Sequence, residues 1–418
     1  MPCRDDEAKR LIAEAAFTRH YRGYFPGADA THTRLLQEAI VIELKDTQDM
    51  VDAIEDRLDQ PVNAGYPLRD KEIVGVWRKR CVQAVNHLAE RNLLGKQDVF
   101  GRSMYQHFLQ IADEPMCKTF EEAPGRTILM GELIRNIANP GRITQGLKGT
   151  CAATCIEIYL AERDPVEYAR LCAGLMTPDG RVKLRNDDKL SRDEDVLAPD
   201  EQEFRRSPVS RIFQVACMEY AYPELDYRND IDGQLQGSEN TGTGLSLKAF
   251  ERLLHAISGE TWKTISDGFS QFAKLLGLDS SKLPDLHRDG LAIIERSTRA
   301  GEPVFATIEL AKVRSPVRRA ASNGTAEHAA HKVRVLAVDR VKGTVLYDDP
   351  MDPQQSWFEG VKSDIVDKYG HCTMPIEEFD KLLVELSYKP QFGPGQTPAA
   401  APAPSAPAEQ AVGAQGIS

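Results

Sequence analysis

A glutamine six residues before a cysteine is the feature of this chain that most clearly predicts chemistry. Residues 145–151 read QGLKGTC, from Gln145 to Cys151. A nucleophilic cysteine needs a lowered pKa, and the start of a helix lowers it through unpaired backbone N–H groups and the helix dipole. A side-chain amide just upstream can join the cysteine N–H in binding the oxyanion that forms when a thiolate attacks a carbonyl. The spacing therefore predicts acyl-transfer chemistry at Cys151.

The residues after Cys151 predict the helix that carries this nucleophile. They run through Ala152 and Thr154 to Leu160 without a helix breaker. Cys155 lies one turn further along, and we expect it to pack beneath the helix because the glutamine spacing points to Cys151. The competing interpretation is that Cys151 is itself a small buried apolar residue, as cysteines outside disulfides often are.

A cysteine nucleophile also needs a base, usually a histidine that a third group orients. His331 is the first candidate, because it opens an alternating run over 331–338 that predicts a strand. A turn-like stretch over 339–343 and a second strand over 344–350 complete the pattern of a hairpin. His328 is the weaker candidate base, since no strand begins at it.

The register of this hairpin selects the group that orients the base. Pairing centred on Arg340 would place Val333 opposite Tyr347 and His331 opposite Asp349 on one face of the hairpin. Opposed side chains on one face of a ladder have Cβ atoms about 5 Å apart, close enough for a carboxylate to hold an imidazole. We therefore predict that Asp349 orients His331.

The same register predicts a charged pair on the opposite face. Lys332 would lie across from Asp348 and form an ion pair with it. A shift of one residue would exchange the two faces, so Asp348 stays open as the alternative partner of His331.

The chain order glutamine, cysteine, histidine and aspartate resembles the papain-like cysteine peptidase superfamily. The His-x-Val-x-Val strand followed by a strand that ends in Asp349-Pro350 is most similar to its bacteriocin-processing branch, which cuts double-glycine leaders. The matching blocks lie near 142–175 and 328–350. The resemblance implies an α+β, papain-like fold in which a helical lobe carries Cys151 and an antiparallel sheet carries His331 and Asp349. It also implies a thiol hydrolase that cleaves a peptide or isopeptide bond.

Two other functions remain open on the same residues. A transglutaminase or deamidase would use the same order of cysteine, histidine and aspartate, because the triad alone implies only acyl transfer. A non-catalytic binding or scaffold protein would need none of these residues. The expected organisation is a helical region over 1–120, a catalytic domain over 121–388 with insertions at about 180–300, and a disordered Pro/Ala-rich tail over 389–418.

Composition limits the partners. The net charge of −11 argues against non-specific binding to nucleic acid, and no apolar run is long enough to span a membrane. The N-terminus lacks the apolar core of a signal peptide, and eight cysteines without a disulfide-like spacing indicate a reducing compartment such as the cytoplasm. Leaderless export, as bacterial effectors use, is compatible with both features. We expect a protein or peptide substrate, and the sequence does not indicate an oligomeric state.

We expect no cofactor and no metal. The loop over 229–239 resembles the later part of a calcium-binding loop, but Arg228 stands at the first ligand position, where calcium requires an oxygen.

The elements that must position these residues are predicted from periodicity and capping signals. Asp164, Pro165 and Glu167 predict a helix start directly after the nucleophile helix, and 181–205 predicts a loop or an exposed hairpin. A strand is expected beside the hairpin at 303–310. Helices are expected at 6–19, 34–58, 70–93, 126–138, 208–221, 246–257 and 375–386.

Overall fold

The structure, a computed structural model, combines helices with antiparallel sheets and is therefore of the α+β class. It describes residues 45–62, 71–146, 148–197, 206–230, 233–236, 239–240, 244–266, 285–309, 330–351, 364–365 and 371–394. The chain divides into two compact units. The first comprises Met1–Gly259 and Pro350–Gln355, and the second comprises Glu260–Asp349 and Ser356–Ser418. The predicted domain boundaries near 120 and 388 stay predictions.

The first unit is mainly helical. Its described helices are α1 (45–58), α2 (Lys71–Glu90), α3 (Met104–Asp113), α4 (Lys118–Glu122), α5 (Arg126–Ala138), α6 (Cys151–Arg163), α7 (Pro165–Met176), α8 (Pro208–Ala221) and α9 (Leu247–Ser258). A 3-10 turn, Pro140–Arg142, follows α5. Its described strands are β1 (Arg181–Lys183) paired with β2 (Lys189–Ser191), and a small sheet of β3 (Asp226–Arg228), β4 (Gly233–Gln236) and β5 (Glu239–Asn240).

Side-chain caps begin the helices where the sequence predicts them. The Asp164 carboxylate accepts the N–H of Glu167 at 3.3 Å, and Pro165 occupies the first position of α7. Ser246 caps α9 in the same way through the N–H of Ala249. Such caps satisfy backbone N–H groups that the helix itself leaves without a partner. The helices predicted at 126–138 and 208–221 are confirmed, and the charged stretch after 180 contains the β1–β2 hairpin.

A close contact between α2 and α5 stabilises the first unit. The Trp77 indole of α2 packs on Gly131 of α5, where an added Cβ would overlap the ring. The indole N–H donates to Glu132 Oε1 at 2.7 Å. Glycine at 131 is therefore required by the close approach of the two helices.

The second unit is built on one seven-stranded antiparallel sheet. Its strand order is β10-β11-β9-β8-β7-β12-β6. The strands are β6 (Lys263–Ser266), β7 (Val304–Glu309), β8 (Ala330–Asp339), β9 (Thr344–Asp348), β10 (Asp364–Ile365), β11 (His371–Pro375) and β12 (Leu383–Tyr388). The helices described in this unit are α10 (Leu286–Arg299) and α11 (Ile376–Leu382). One face of the sheet carries the apolar core, which includes Val304, Val333, Val335 and Tyr347.

The hairpin of β8 and β9 is confirmed, but its predicted register is wrong. Tyr347 lies opposite Val335, not Val333. The ladder shifts between Val335 and Ala337, so Leu336 is an extra residue in β8. The turn has the predicted chemistry, since Asp339 Oδ1 accepts two backbone N–H groups and Gly343 has a positive φ of 69°. Asp339 pairs with Thr344, so the turn is centred between Val341 and Lys342 and not on Arg340. The bulge at Leu336 reduces the resulting shift from three residues to two, which keeps Tyr347 on the predicted face.

The helix predicted over 375–386 is wrong in its second half. The helix ends at Leu382, and Leu383–Tyr388 forms β12 between β7 and β6. Leu383 and Leu386 face the core of the sheet, so sheet pairing prevails over the helical spacing of the leucines.

Some predictions fall on residues that the structure does not describe. The helix predicted at 6–19, residues 34–44 of the next helix and residues 395–418 of the predicted tail lie outside the described residues. The first residues of that tail form the 3-10 turn Pro390–Phe392, and the Phe392 carbonyl accepts the guanidinium of Arg296 at 2.7 Å.

Two valines of the same hairpin provide a test of the sheet core. Val335 is fully buried, whereas Val341 is 98% exposed in the turn. We expect Val335→Ala to lower the free energy of unfolding by about 2 kcal/mol, because it removes buried methyl groups and leaves a cavity. Val341→Ala should change it by less than about 0.5 kcal/mol in the same urea titration. Equal losses for the two variants would contradict this assignment of the core face.

Candidate functional site

Cys151 is the first residue of α6, as its sequence context predicts. Its side chain is partly exposed, whereas Cys155, one turn later, is fully buried. Residues 152–161 are buried on all sides of the helix. A helix buried on all sides lies inside a core, so α6 places its partly exposed first residue at the edge of that core.

The start of α6 provides backbone donors at the cysteine. The first hydrogen bond of the helix runs from the Thr154 N–H to the Thr150 carbonyl at 2.9 Å. The N–H groups of Cys151 and the next two residues therefore have no acceptor within the helix. Thr150 precedes the helix, yet its side chain does not cap it. The N–H of Cys151 and the helix dipole are thus suited to a developing negative charge.

Gln145 lies buried in a turn before this helix. Its backbone N–H donates to the Pro350 carbonyl at 2.8 Å, and its side-chain Nε2 donates to the Lys148 carbonyl at 2.7 Å. Thr144 Oγ1 also donates to Pro350 O, at 3.1 Å. A glutamine amide carries two N–H bonds, so Lys148 accounts for one of them. The second can donate to a ligand oxygen.

A buried polar cluster connects this turn with α6. Gln214 of α8 is its central member and is fully buried. The Gln214 amide contacts Thr144, Thr150, Glu157 and Arg206. Gln214 was not predicted from the sequence, because its partners lie far away along the chain. The one available signal was an amide on the apolar face of α8.

The acid of this cluster is Glu157, in the middle of α6. Its carboxylate accepts the Tyr168 hydroxyl at 2.5 Å, the Ser210 hydroxyl at 2.8 Å and Gln214 Nε2 at 2.8 Å. Complete burial raises the pKa of Glu157, while these donors and the charge of Arg206 act to lower it. Burial has the larger effect on this pKa. Burying the Glu157 carboxyl group is therefore unfavourable, and its three hydrogen bonds offset that desolvation penalty.

In the second unit, the structure brings His331 and Asp349 together. His331 Nε2 lies 2.8 Å from Asp349 Oδ1, and both side chains are buried. His331 is opposite Ile308 in the β7–β8 ladder, and the observed register of β8 and β9 makes Asp349 its diagonal rather than its direct neighbour. Diagonal residues on one face remain within reach of long side chains. The predicted pair therefore forms through a different geometry.

Asp348 contacts neither of its two predicted partners, Lys332 and His331. It contacts Arg334 at 2.5 Å and His371 at 3.1 Å, not Lys332 and not His331. Burial acts to raise the pKa of Asp348, but Arg334 and His371 outweigh it, so this pKa lies below its usual value. Lys332 instead lies 3.3 Å from Glu385 on β12. The predicted Lys332–Asp348 pair is wrong because the ladder is displaced by two residues. His328 lies outside the described residues.

One group of acidic side chains in the described part of the first unit could share a cation. Carboxylate oxygens of Asp193, Glu219 and Asp226 lie within 4.8 Å of one another. Burial raises the pKa of Glu219 most, the Tyr227 N–H lowers it, and the charges of Asp193, Asp226 and Asp195 raise it, so that it lies at about 8. Nothing else in the described structure points to a ligand at this group.

Comparison with known proteins adds no relative: no family model, curated protein or solved structure matches the chain. In the part of the chain that the structure describes, none of the helices has the length and apolar character needed to cross a bilayer.

The burial of Asp348 gives a prediction on stability. Asp348→Asn removes the negative charge beside Arg334, and breaking a buried pair in this way costs about 3 to 5 kcal/mol of unfolding free energy. The folded-state pKa of Asp348 is lowered, so its stabilising contribution is present above its usual pKa of 3.8 and is lost as the pH falls through the lowered value. Urea titrations at pH 7 and pH 3 should show a smaller difference between variant and parent at pH 3.

A matched control lies in the turn of the same hairpin. Lys342 is 77% exposed and lies 3.5 Å from Asp339. Lys342→Ala should therefore cost at most about 1 kcal/mol. A loss for Asp348→Asn as small as that for Lys342→Ala would contradict the buried pair.

Glu219 predicts a pH dependence of opposite sign. Its pKa is about 8 in the folded chain against an ordinary value of 4.5, so the folded state retains a proton that the unfolded state releases. This group therefore lowers the unfolding free energy progressively as the pH rises from 4.5 to 8. Glu219→Gln should remove that part of the decline, and the exposed Glu224→Gln should not. The check is chemical denaturation at pH 5, 6, 7 and 8, and parallel profiles for parent and Glu219→Gln would contradict the prediction.

Proposed function

We propose that the chain is a papain-like thiol hydrolase that cleaves peptide or isopeptide bonds. Cys151 is the nucleophile, His331 the base, Asp349 the residue that orients His331, and Gln145 a donor to the oxyanion. The proposal draws on the resemblance of the two sequence blocks, on the position of Cys151 at a helix start, and on the His331–Asp349 hydrogen bond.

The main structural support for the proposal comes from the adjacent residues Asp349 and Pro350. Asp349 accepts His331 within the second unit. The next residue, Pro350, belongs to the first unit and accepts the N–H of Gln145. A single peptide bond therefore joins the residue that holds the proposed base to the residue that anchors the proposed oxyanion donor.

The protonation of His331 follows from its partner. A neutral imidazole that donates its Nε2–H to Asp349 carries its lone pair on Nδ1. Nδ1 therefore takes the proton of the Cys151 thiol. Asp349 stabilises the imidazolium that forms and keeps the ring in one orientation.

The reaction then proceeds by acyl transfer. The Cys151 thiolate attacks the substrate carbonyl carbon, and the carbonyl oxygen becomes an oxyanion that accepts hydrogen bonds from Gln145 Nε2 and the Cys151 N–H. The His331 imidazolium gives its proton to the leaving amine as the C–N bond breaks, which leaves a thioester. His331 next removes a proton from water, which attacks the thioester, and the acid product leaves as the thiolate re-forms.

Two reagents separate the parts of this proposal. Acylation by p-nitrophenyl acetate passes through an oxyanion, whereas alkylation by iodoacetamide is a displacement at saturated carbon and forms none. The acylation ratio is defined here as the rate constant for p-nitrophenyl acetate divided by that for iodoacetamide, both measured at Cys151 by peptide mass spectrometry. Gln145→Ala should lower this ratio about a hundred- to a thousandfold, because removal of one oxyanion donor typically has that effect.

Cys151→Ala and Cys155→Ala form the matched pair for the nucleophile. Cys151→Ala should abolish turnover of the ester and leave thermal stability nearly unchanged, since Cys151 is partly exposed. Cys155→Ala should keep turnover and lower stability, since Cys155 is fully buried. Full turnover by Cys151→Ala would refute the proposal. Transfer of the acetyl group to an added amine in preference to water would identify an acyl transferase instead of a hydrolase.

A further inference from the structure

We propose that Gln214 is a positioning residue that holds the two ends of the Gln145–Cys151 segment in the arrangement that an oxyanion site needs. This inference rests on the proposed function. Gln214 lies in α8, outside both sequence blocks that predicted the site, and its side chain is fully buried.

Both flanks of the segment contact the same amide. Gln214 Nε2 donates to the carbonyl of Thr144, the residue before Gln145, at 3.1 Å. Gln214 Oε1 accepts the hydroxyl of Thr150, the residue before Cys151, at 2.8 Å. One side chain therefore bridges the beginning and the end of the turn that separates the two proposed oxyanion donors.

The remaining bonds fix the orientation of this amide. Nε2 also donates to Glu157 Oε2 at 2.8 Å, and Oε1 also accepts from Arg206 at 3.1 Å. A glutamine amide has two N–H bonds and two lone pairs, so all four positions are used. Turning the amide over would place its oxygen against the acceptors of Thr144 and Glu157 and its N–H groups against the Arg206 donor. The amide is thus held in one orientation by the buried Glu157 carboxylate and the buried Arg206 guanidinium.

This rigidity matters because an oxyanion site depends on convergence. The Gln145 Nε2–H and the Cys151 N–H must reach one oxygen at hydrogen-bond distance. A displacement of about 1 Å in a positioned group can cost about a hundredfold in rate. Gln214 touches no reacting atom in this scheme, and it acts by fixing the backbone at Thr144 and the side chain at Thr150.

The acylation ratio at Cys151 tests this role in the full-length chain. Gln214→Met keeps the length of the side chain and removes all four hydrogen bonds, so it should lower the ratio about tenfold or more. The iodoacetamide rate alone should change by less than about threefold, since alkylation needs no oxyanion donor. Thr150→Val removes one of the four hydrogen bonds at nearly constant volume, and it should lower the ratio severalfold.

Val215→Ala is the matched control for loss of stability. Val215 is the next residue of α8, is buried, and points about 100° around the helix from Gln214. It should lower the melting temperature and leave the ratio at the parent value, with every variant assayed equally far below its own melting temperature. An equal fall for Val215→Ala and Gln214→Met would show a general packing effect and overturn the inference.

The remaining outcomes distinguish this inference from the proposed function. If Gln145→Ala lowers the ratio while neither Gln214→Met nor Thr150→Val does, Gln214 has no positioning role and the hydrolase proposal stands. If Gln145→Ala leaves the ratio at the parent value, both proposals fail. Should Gln214→Met not fold, Thr150→Val decides the question, and an unchanged ratio in that variant overturns the inference.

Discussion

The buried side-chain amide of Gln214 is the interaction on which the candidate site of the first unit most depends. It links Glu157 of α6 to Arg206 and to the turn that precedes Cys151. An unpaired acid or amide in a helical core would be strongly destabilising, so the polar groups of this cluster tolerate only arrangements in which all are bonded. The cluster therefore specifies one position for the start of α6, where apolar packing alone would allow several.

In the second unit, two adjacent aspartates fix the position of a buried side chain. Successive side chains of a strand point to opposite faces. Asp348 is held by Arg334 and His371 on one face, while Asp349 contacts His331 on the other. Because Arg334 and His371 fix Asp348, the direction of the next side chain is fixed as well. The orientation of His331 is thus supported by a charged contact on the reverse side of the same strand.

The sequence predicts those parts of this architecture that depend on local signals. Helix starts such as Asp164 follow from capping chemistry, and the β8–β9 hairpin follows from alternation and a turn that requires Gly343. The register was wrong because the turn is centred between Val341 and Lys342 and not on Arg340, and the bulge at Leu336 leaves Tyr347 two residues from its predicted partner. The helix predicted over 375–386 was wrong because leucines spaced for a helix face also fit a strand that two neighbours pair.

In the candidate site, too, contacts between residues close in sequence were predicted and long-range contacts were not. The contact of His331 with Asp349 was predicted from residues 18 positions apart within one hairpin. The role of Gln214 could not be predicted, since its contacts with Thr144 and Thr150 span 70 and 64 positions and no periodic pattern marks them. An amide on an apolar helix face is a local signal, but it does not identify the distant residues that it contacts.

The short segment Pro350–Gln355 belongs to the first unit although the rest of that unit ends at Gly259. Synthesis of the chain therefore delivers the glutamine turn long before the carbonyl that accepts the Gln145 N–H and the Thr144 hydroxyl. A fragment that stops at residue 259 would contain the cysteine, its helix and the Gln214 cluster, yet would lack that acceptor. The first unit can be completed only after the β8–β9 hairpin has been translated, so its maturation is tied to the order in which the ribosome releases the chain.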